Sequence, residues 1–492
     1  MLRSSVSLFS TLPFALAFSW TAAASGQTPP PAPPDDDGEL EVPASPAAPS
    51  APTTTVPAPA TTESPAASPQ PIAPLVTAHA ASAADAPAPA EQALAGEPPR
   101  DVRPPVEVAG VRISGYAQAQ YQHSDLSEDQ LQQGGAPLNQ DQFSVRRFRV
   151  RLDRTWDFAS ASLELDANTV RGPRVGIRRA EASLFYRGQH AEDAAPLVML
   201  TAGIIDIPFG FELLESARSR WFMDRSIGNG ALFPTEMDVG AKLSGAVSFV
   251  RYAVAVMNGE PVDNGLPRDP NAAKDVIGRF GAQGNLTPQL ELGGGTSFAV
   301  GKGFHAGRDA TKSSVVWSDA NEDGAYAPTE SMGVPGTAAT ASESFDRWAI
   351  GVDLGVALQT RLGRSKLYGE AFVASNYDRG FSPSDPVTTR LDARQAGGYL
   401  AFTQELTRYA IVGFRASYYD PNSDIIEVRG GQTLPKTQSV KTLSPLAGVV
   451  LPGRARLLFQ YDFIRDYLAR DSVGVPADAD NNQWTLRLQV EL

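Results

Sequence analysis

Residues Phe143–Asp153 read FSVRRFRVRLD, and this stretch narrows the fold more than any other. Side chains alternate between the two faces of an extended strand. Phe148, Val150 and Leu152 therefore share one face, and Arg147, Arg149, Arg151 and Asp153 share the other. On the core side of a soluble sandwich those arginines would be ruinous, because burying unpaired charge is very costly. Two arrangements tolerate the pattern. One is a soluble antiparallel sheet with its arginines in water; the other is a closed membrane barrel with lipid outside and water inside.

The rest of the chain decides for the barrel, because the same two-residue period recurs almost to the end. Arg112, Ser114, Tyr116, Gln118 and Gln120 alternate with apolar or small residues. Ser160, Ser162, Glu164, Asp166 and Asn168 alternate with Ala161, Leu163, Leu165 and Ala167, and Arg179, Glu181 and Ser183 with Ala180, Ala182 and Leu184. Opposite charges on neighbouring strands can then pair across the ladder. Later segments repeat the pattern, down to Trp484, Leu486, Leu488, Val490 and Leu492 at the end of the chain. By this parity Lys242, Arg279, Arg415, Arg456 and Arg487 also face inward. Short turns take turns with long polar loops such as Gly259–Lys274, Gly301–Asp346 and Pro421–Val440. Such alternation marks outer-membrane barrels. The expectation is an all-β, transmembrane antiparallel β-barrel of about sixteen strands over residues 109–492, with both termini periplasmic.

Ahead of the barrel, residues 1–24 have the form of a secretory signal: Arg3, the apolar run Leu8–Trp20, then small residues at Ala22–Ala24. Residues 25–108 are Pro/Ala-rich with few aromatics, too poor in apolar surface to offset chain entropy, and read as a disordered periplasmic segment. The formal net charge of −13 argues against nucleic-acid binding. The chain has no cysteine, so neither disulfides nor a thiol nucleophile are available. Its four histidines, His79, His123, His190 and His305, fall in loops, turns or the N-terminal segment, and no Ser/His/Asp arrangement accompanies them. An enzyme is not expected. The rival reading is a structural membrane anchor, its Pro/Ala arm reaching peptidoglycan.

One segment, Thr201–Gly245, interrupts the alternation with about thirty irregular residues after the fifth strand. Irregular stretches of that length inside a domain are usually functional. It contains Gly203, then Pro208, Phe209 and Gly210, then Glu212. In these residues, and in Trp221–Arg225 and Met237–Gly240, the chain resembles the phosphate-selective porin O/P family. The resemblance extends over residues 109–492 and is most specific at 203–240. It implies a homotrimeric outer-membrane channel whose third loop folds inward as the constriction, with arginines leading small anions toward it. Residues of matching type are Arg147, Arg149, Arg151 and Arg179 on the wall and Arg218, Arg220 and Arg225 on the loop. The carboxylates Glu164, Asp166 and Glu181 would sit among them. No lysine occurs in Glu215–Arg225, and a wall of both signs suits a general diffusion pore better than a phosphate trap.

A second motif lies in the longest loop. Asp319–Glu330 reads DANEDGAYAPTE and fits the calcium-loop pattern D-x-[DN]-x-[DN]-G-x5-E. Asp319, Asn321, Asp323 and Glu330 would offer side-chain oxygens and Ala325 its carbonyl. The flanks do not look helical, so any calcium there would brace a loop; no cofactor is otherwise required.

Overall fold

The computed structural model describes residues 106–491, except 126–139, 171, 189–194, 261–268, 320, 430–431, 436–437, 452–454, 469–477 and 479–480. The expected signal, the Pro/Ala-rich segment up to residue 105, His79, His190 and Leu492 lie outside the described residues.

Sixteen antiparallel strands close into a barrel. The first eight are β1 (Val111–Ser124), β2 (Gln142–Thr155), β3 (Ala159–Asn168), β4 (Arg174–Tyr186), β5 (Val198–Asp206), β6 (Met237–Val247), β7 (Val250–Met257) and β8 (Asp275–Thr287). Then follow β9 (Leu290–His305), β10 (Glu343–Gln359), β11 (Arg364–Ser375), β12 (Arg394–Thr407), β13 (Ala410–Asp420), β14 (Val440–Leu451), β15 (Ala455–Asp466) and β16 (Gln483–Glu491). Each strand pairs with the next, and β1 pairs with β16, from Tyr116↔Glu491 to Ser124↔Gln483, leaving no edge. Val106–Val108, inside the segment expected to be disordered, instead turns back antiparallel onto Val111–Ile113. Ala109 and Gly110, both at positive φ, make the tight reversal.

Burial along the strands inverts that of a soluble protein. Outward residues such as Ile350, Val352 and Leu354 on β10, or Leu457, Phe459 and Phe463 on β15, are large, apolar and exposed. Inward neighbours such as Gln118, Arg149, Glu164, Gln460 and Gln489 are polar and buried. Only a surrounding of hydrocarbon makes that arrangement favourable. At one rim the turns include 248–249, 288–289 and 408–409; the opposite rim carries the long connections, including 306–342. β1 starts and β16 ends at the short-turn rim.

Strict parity fails at two β-bulges. One breaks the β1–β2 register between Gln118 and Ala119, so that Gln118 pairs with Arg147 but Ala119 with Val145. The other breaks β3–β4 between Glu164 and Leu165, pairing Glu164 with Arg179 but Leu165 with Ile177. A bulge sets two residues against one. Here it turns the second member of each arginine pair, Arg146 and Arg178, into the barrel instead of toward lipid, and both are buried.

Candidate functional site

β5 ends at Asp206 and the wall resumes only at Met237. The residues between are mostly buried, although irregular backbone normally stays at the surface to satisfy its polar groups. They are folded inside the barrel and meet its far wall: Gly210 N donates to Ser297 Oγ on β9 (2.9 Å), and Met223 N to Gln460 Oε1 on β15 (2.9 Å). Arg218 pairs with Glu491 on β16 (2.7 Å).

One side of the loop is apolar. Ile207, Phe209, Leu213, Leu232 and Phe233 pack on Ala255, Met257, Ile277, Ala299 and Ala349 of the inner wall. Ala255, Ala299 and Ala349 are small where the loop is large. The Phe209 ring lies over Gly351, where an added Cβ would stand 3.1 Å from it, and the Phe209 and Phe233 ring centroids are 5.0 Å apart. Burying each such side chain stabilises the docked loop by roughly 1.5–3 kcal/mol.

Three carboxylates fasten the rest, Glu212 and Glu236 buried and Asp224 about a third exposed. Glu212 accepts from Ser226 N (2.9 Å), Ser226 Oγ (2.7 Å) and Asn229 Nδ2 (2.8 Å), and pairs with Arg415 on β13 at 2.9 Å. It thereby ties the loop's start to its short helix α1 (Ile227–Leu232) and to the wall. Burial alone would raise its pKa, but the Arg415 and Arg220 guanidiniums hold its carboxyl below the usual range. Asp224 faces Arg146 (2.6 Å), Arg147 (3.7 Å) and Arg487 (3.9 Å). Partial loss of water around it opposes ionisation, and those three guanidiniums overcome it. Glu236 faces Arg178 (2.7 Å), Arg225 (3.3 Å) and Arg220 (3.5 Å).

Gly210 fits this clamp for two reasons. Its φ is +61°, and a Cβ there would fall 1.9 Å from Glu370 Oε1. Glu370, on β11, cannot swing aside freely, because its Oε2 accepts from Phe211 N and Glu212 N, each at 3.1 Å. Gly203, by contrast, belongs to β5, where an added Cβ would meet Ala180 O at 2.1 Å. Pro208 is buried in the turn that sends Phe209 into the apolar cluster. The Pro-Phe-Gly-x-Glu run is thus a docking device.

The sequence-predicted cations lie around this loop to different depths. Arg147 donates to Gln118 Oε1 (3.0 Å), and Arg149 pairs with Asp166 (2.8 Å) and Glu164 (3.8 Å). Arg179 joins Asp206 (2.6 Å) and Glu181 (2.9 Å). Arg151 sits nearer the short-turn rim with Asp153 (2.8 Å), and Arg279 pairs with Asp353 across the lumen wall (2.6 Å). Arg220 and Arg225 are buried at Glu236, whereas Arg218 is a third exposed. Lys242 on β6 is buried in the barrel and forms no ion pair among the described residues.

Sequence reasoning did not single out Arg146 and Arg178, nor the fastening carboxylates Asp224, Glu236 and Glu370. The doublets Arg146–Arg147 and Arg178–Arg179 were a usable signal: on a lipid-facing strand one of two adjacent arginines would point into hydrocarbon unless a bulge intervened.

Asp319–Glu330 lies far from this loop in sequence, between the strands Ser314–Trp317 and Ser331–Val334, which pair as a hairpin. Asp319 Oδ2 accepts from Gly324 N (2.7 Å), Asn321 Oδ1 from Asp323 N (3.0 Å) and Asp323 Oδ1 from Ala325 N (2.7 Å). Glu330 Oε2 accepts from Trp317 Nε1 at 3.2 Å.

No protein-family model matches the chain, and no curated protein matches it. Solved structures with a distant likeness include the anion-selective porin from Comamonas acidovorans, at 10% identity over 78% of this chain and 99% of that one, TM-score 0.45. Pseudomonas putida OprB is similar at 10% identity over 78% and 94%, TM-score 0.46. The outer membrane channel DcaP of Acinetobacter baumannii is similar at 9% identity over 79% and 100%, TM-score 0.44.

Proposed function

We propose that this chain is an outer-membrane porin, a passive diffusion channel for small hydrophilic solutes with a preference for anions, phosphate among them. On this reading the long loops face outward, the termini lie in the periplasm and the barrels assemble as homotrimers. One observation carries the anion preference: Asp224 alone faces three guanidiniums, those of Arg146, Arg147 and Arg487. At this end of the loop the guanidiniums outnumber the carboxylate they face. In a narrow channel with low-dielectric walls such an excess is poorly screened and draws anions in. Arginine adds a forked geometry suited to phosphate or carboxylate.

Planar-bilayer recording tests the reading. The purified protein is expected to pass chloride current that millimolar inorganic phosphate reduces. Lys242→Gln is expected to weaken that block several-fold, since it removes an inward-facing charge that forms no ion pair among the described residues. Unchanged chloride current under phosphate would remove phosphate from the proposal, and absence of any current would favour a membrane anchor instead.

Calcium at Asp319–Glu330 is part of the same proposal, as a brace for the exposed loop. Terbium, a luminescent substitute for calcium, should emit on excitation of Trp317, which touches Glu330. Calcium should displace it and Asp319→Ala abolish it. Emission that survives the substitution would place the ion elsewhere.

A further inference from the structure

The outer wall carries a feature that passage of solutes does not use. A groove of about 960 Å³ opens across β11–β15, toward the long-loop rim, within the range of roughly 300–1,000 Å³ seen for small-molecule sites. Strand register explains it. One row of outward positions runs Ala371, Gly398, Tyr418, Lys441, Arg465 across the five strands. The row below runs Gly369, Leu400, Ala416, Leu443, Phe463. The diagonal Ala371–Gly398–Ala416 has nothing beyond Cβ, and it is sunk between Leu400, Tyr418, Leu443 and Phe463, all exposed. Gly398 admits nothing larger, because its Cβ would stand 2.4 Å from Glu370 O.

The rim end of this apolar groove is cationic. Lys441 and Arg465 are direct partners across the β14–β15 ladder, both exposed on the lipid-facing side. Like charges directly opposite each other destabilise a sheet unless an anion lies between or beside them. Arg465 has one carboxylate, Asp478, while Lys441 forms no ion pair among the described residues. Among the described residues, one positive charge is left at the end of an oily channel on a wall that faces hydrocarbon.

We propose that this groove holds one anionic, phosphate-bearing lipid of the surrounding bilayer, an acyl chain along Ala371–Gly398–Ala416 and a headgroup phosphate on Lys441 and Arg465. The charge at the groove's end selects a lipid over a second copy of the barrel, which would bring its own two cations to the contact. Basic residues at a membrane surface attract anionic lipid in the same way.

Native mass spectrometry of the full chain released from detergent tests it, with dimyristoyl phosphatidylglycerol and dimyristoyl phosphatidylcholine as probes. One phosphatidylglycerol should be retained per barrel at about tenfold lower lipid concentration than phosphatidylcholine. Lys441→Gln should shrink that preference at least about threefold, and Ala416→Phe, which fills the floor, should abolish retention of both lipids. Should Ala416→Phe fail to fold, Ala416→Cys labelled with a bulky maleimide after folding replaces it, cleanly because the chain has no cysteine of its own. Equal retention of the two lipids, or undiminished retention once the floor is filled, would overturn the proposal. So would displacement by inorganic phosphate, which would mark a free-anion site, or disulfide linkage of Ala416→Cys barrels, which would put a second copy in the groove.

Discussion

Glu236→Ala should destabilise the docked loop by about 3–5 kcal/mol, the range seen when one partner of a buried ion pair is removed. Arg178, Arg220 and Arg225 all turn to this carboxylate, and every member of the group is buried. Arg178 would keep Glu164 at 3.1 Å, but Arg225 would lose the only carboxylate it contacts among the described residues. The strands themselves do not depend on Glu236, so the barrel should still form. Single-channel recordings should show larger, noisier conductance as the loop leaves the wall. Glu236→Gln, which keeps the volume but not the charge, should behave almost as badly. Wild-type conductance in both variants would mean that the apolar packing alone holds the loop.

Gly210→Ala is the second large effect. The added Cβ would fall 1.9 Å from Glu370 Oε1, at a φ that alanine rarely adopts. Backbone strain of this kind costs roughly 1–3 kcal/mol. Moving Glu370 aside would strip the acceptor from Phe211 N and Glu212 N, roughly another 1–3 kcal/mol for each buried donor left unpaired. The loop's first turn should therefore lift off β11, with a rise in conductance and a lower temperature of loop release. Gly230→Ala is the matched control. It lies in the same loop, in α1, and nothing stands within 4 Å of its would-be Cβ. That variant should be indistinguishable from the parent, and equal behaviour of the two would dissolve the argument from Gly210.

The barrel was readable from sequence because its period is two and its outside is apolar, a rule that every strand must obey in lipid. Phe148, Val150 and Leu152 had to face out once Arg147 and Arg149 faced in. Parity is a local rule, however, and a bulge resets it without an unmistakable local mark. Arg146 and Arg178 were not singled out for that reason. The loop was legible as a long irregular insertion, and the Pro-Phe-Gly-x-Glu run marked its important end. Its fastenings were not legible, since Glu212 meets Arg415 across 203 residues of sequence. Nor could parity tell a guanidinium open to the lumen from one consumed by a carboxylate, as Arg220 and Arg225 are at Glu236. Closure of the barrel decides those pairings, and no window of sequence contains it.

The zero-current potential of the wild-type protein across a tenfold potassium chloride gradient tests the central claim most directly. With three guanidiniums around Asp224, the potential should lie on the chloride side, toward the limit of about 59 mV that a tenfold monovalent gradient allows. A potential on the potassium side would mean that Glu212, Asp224 and Glu236 govern the field in the lumen, contradicting an anion-preferring channel.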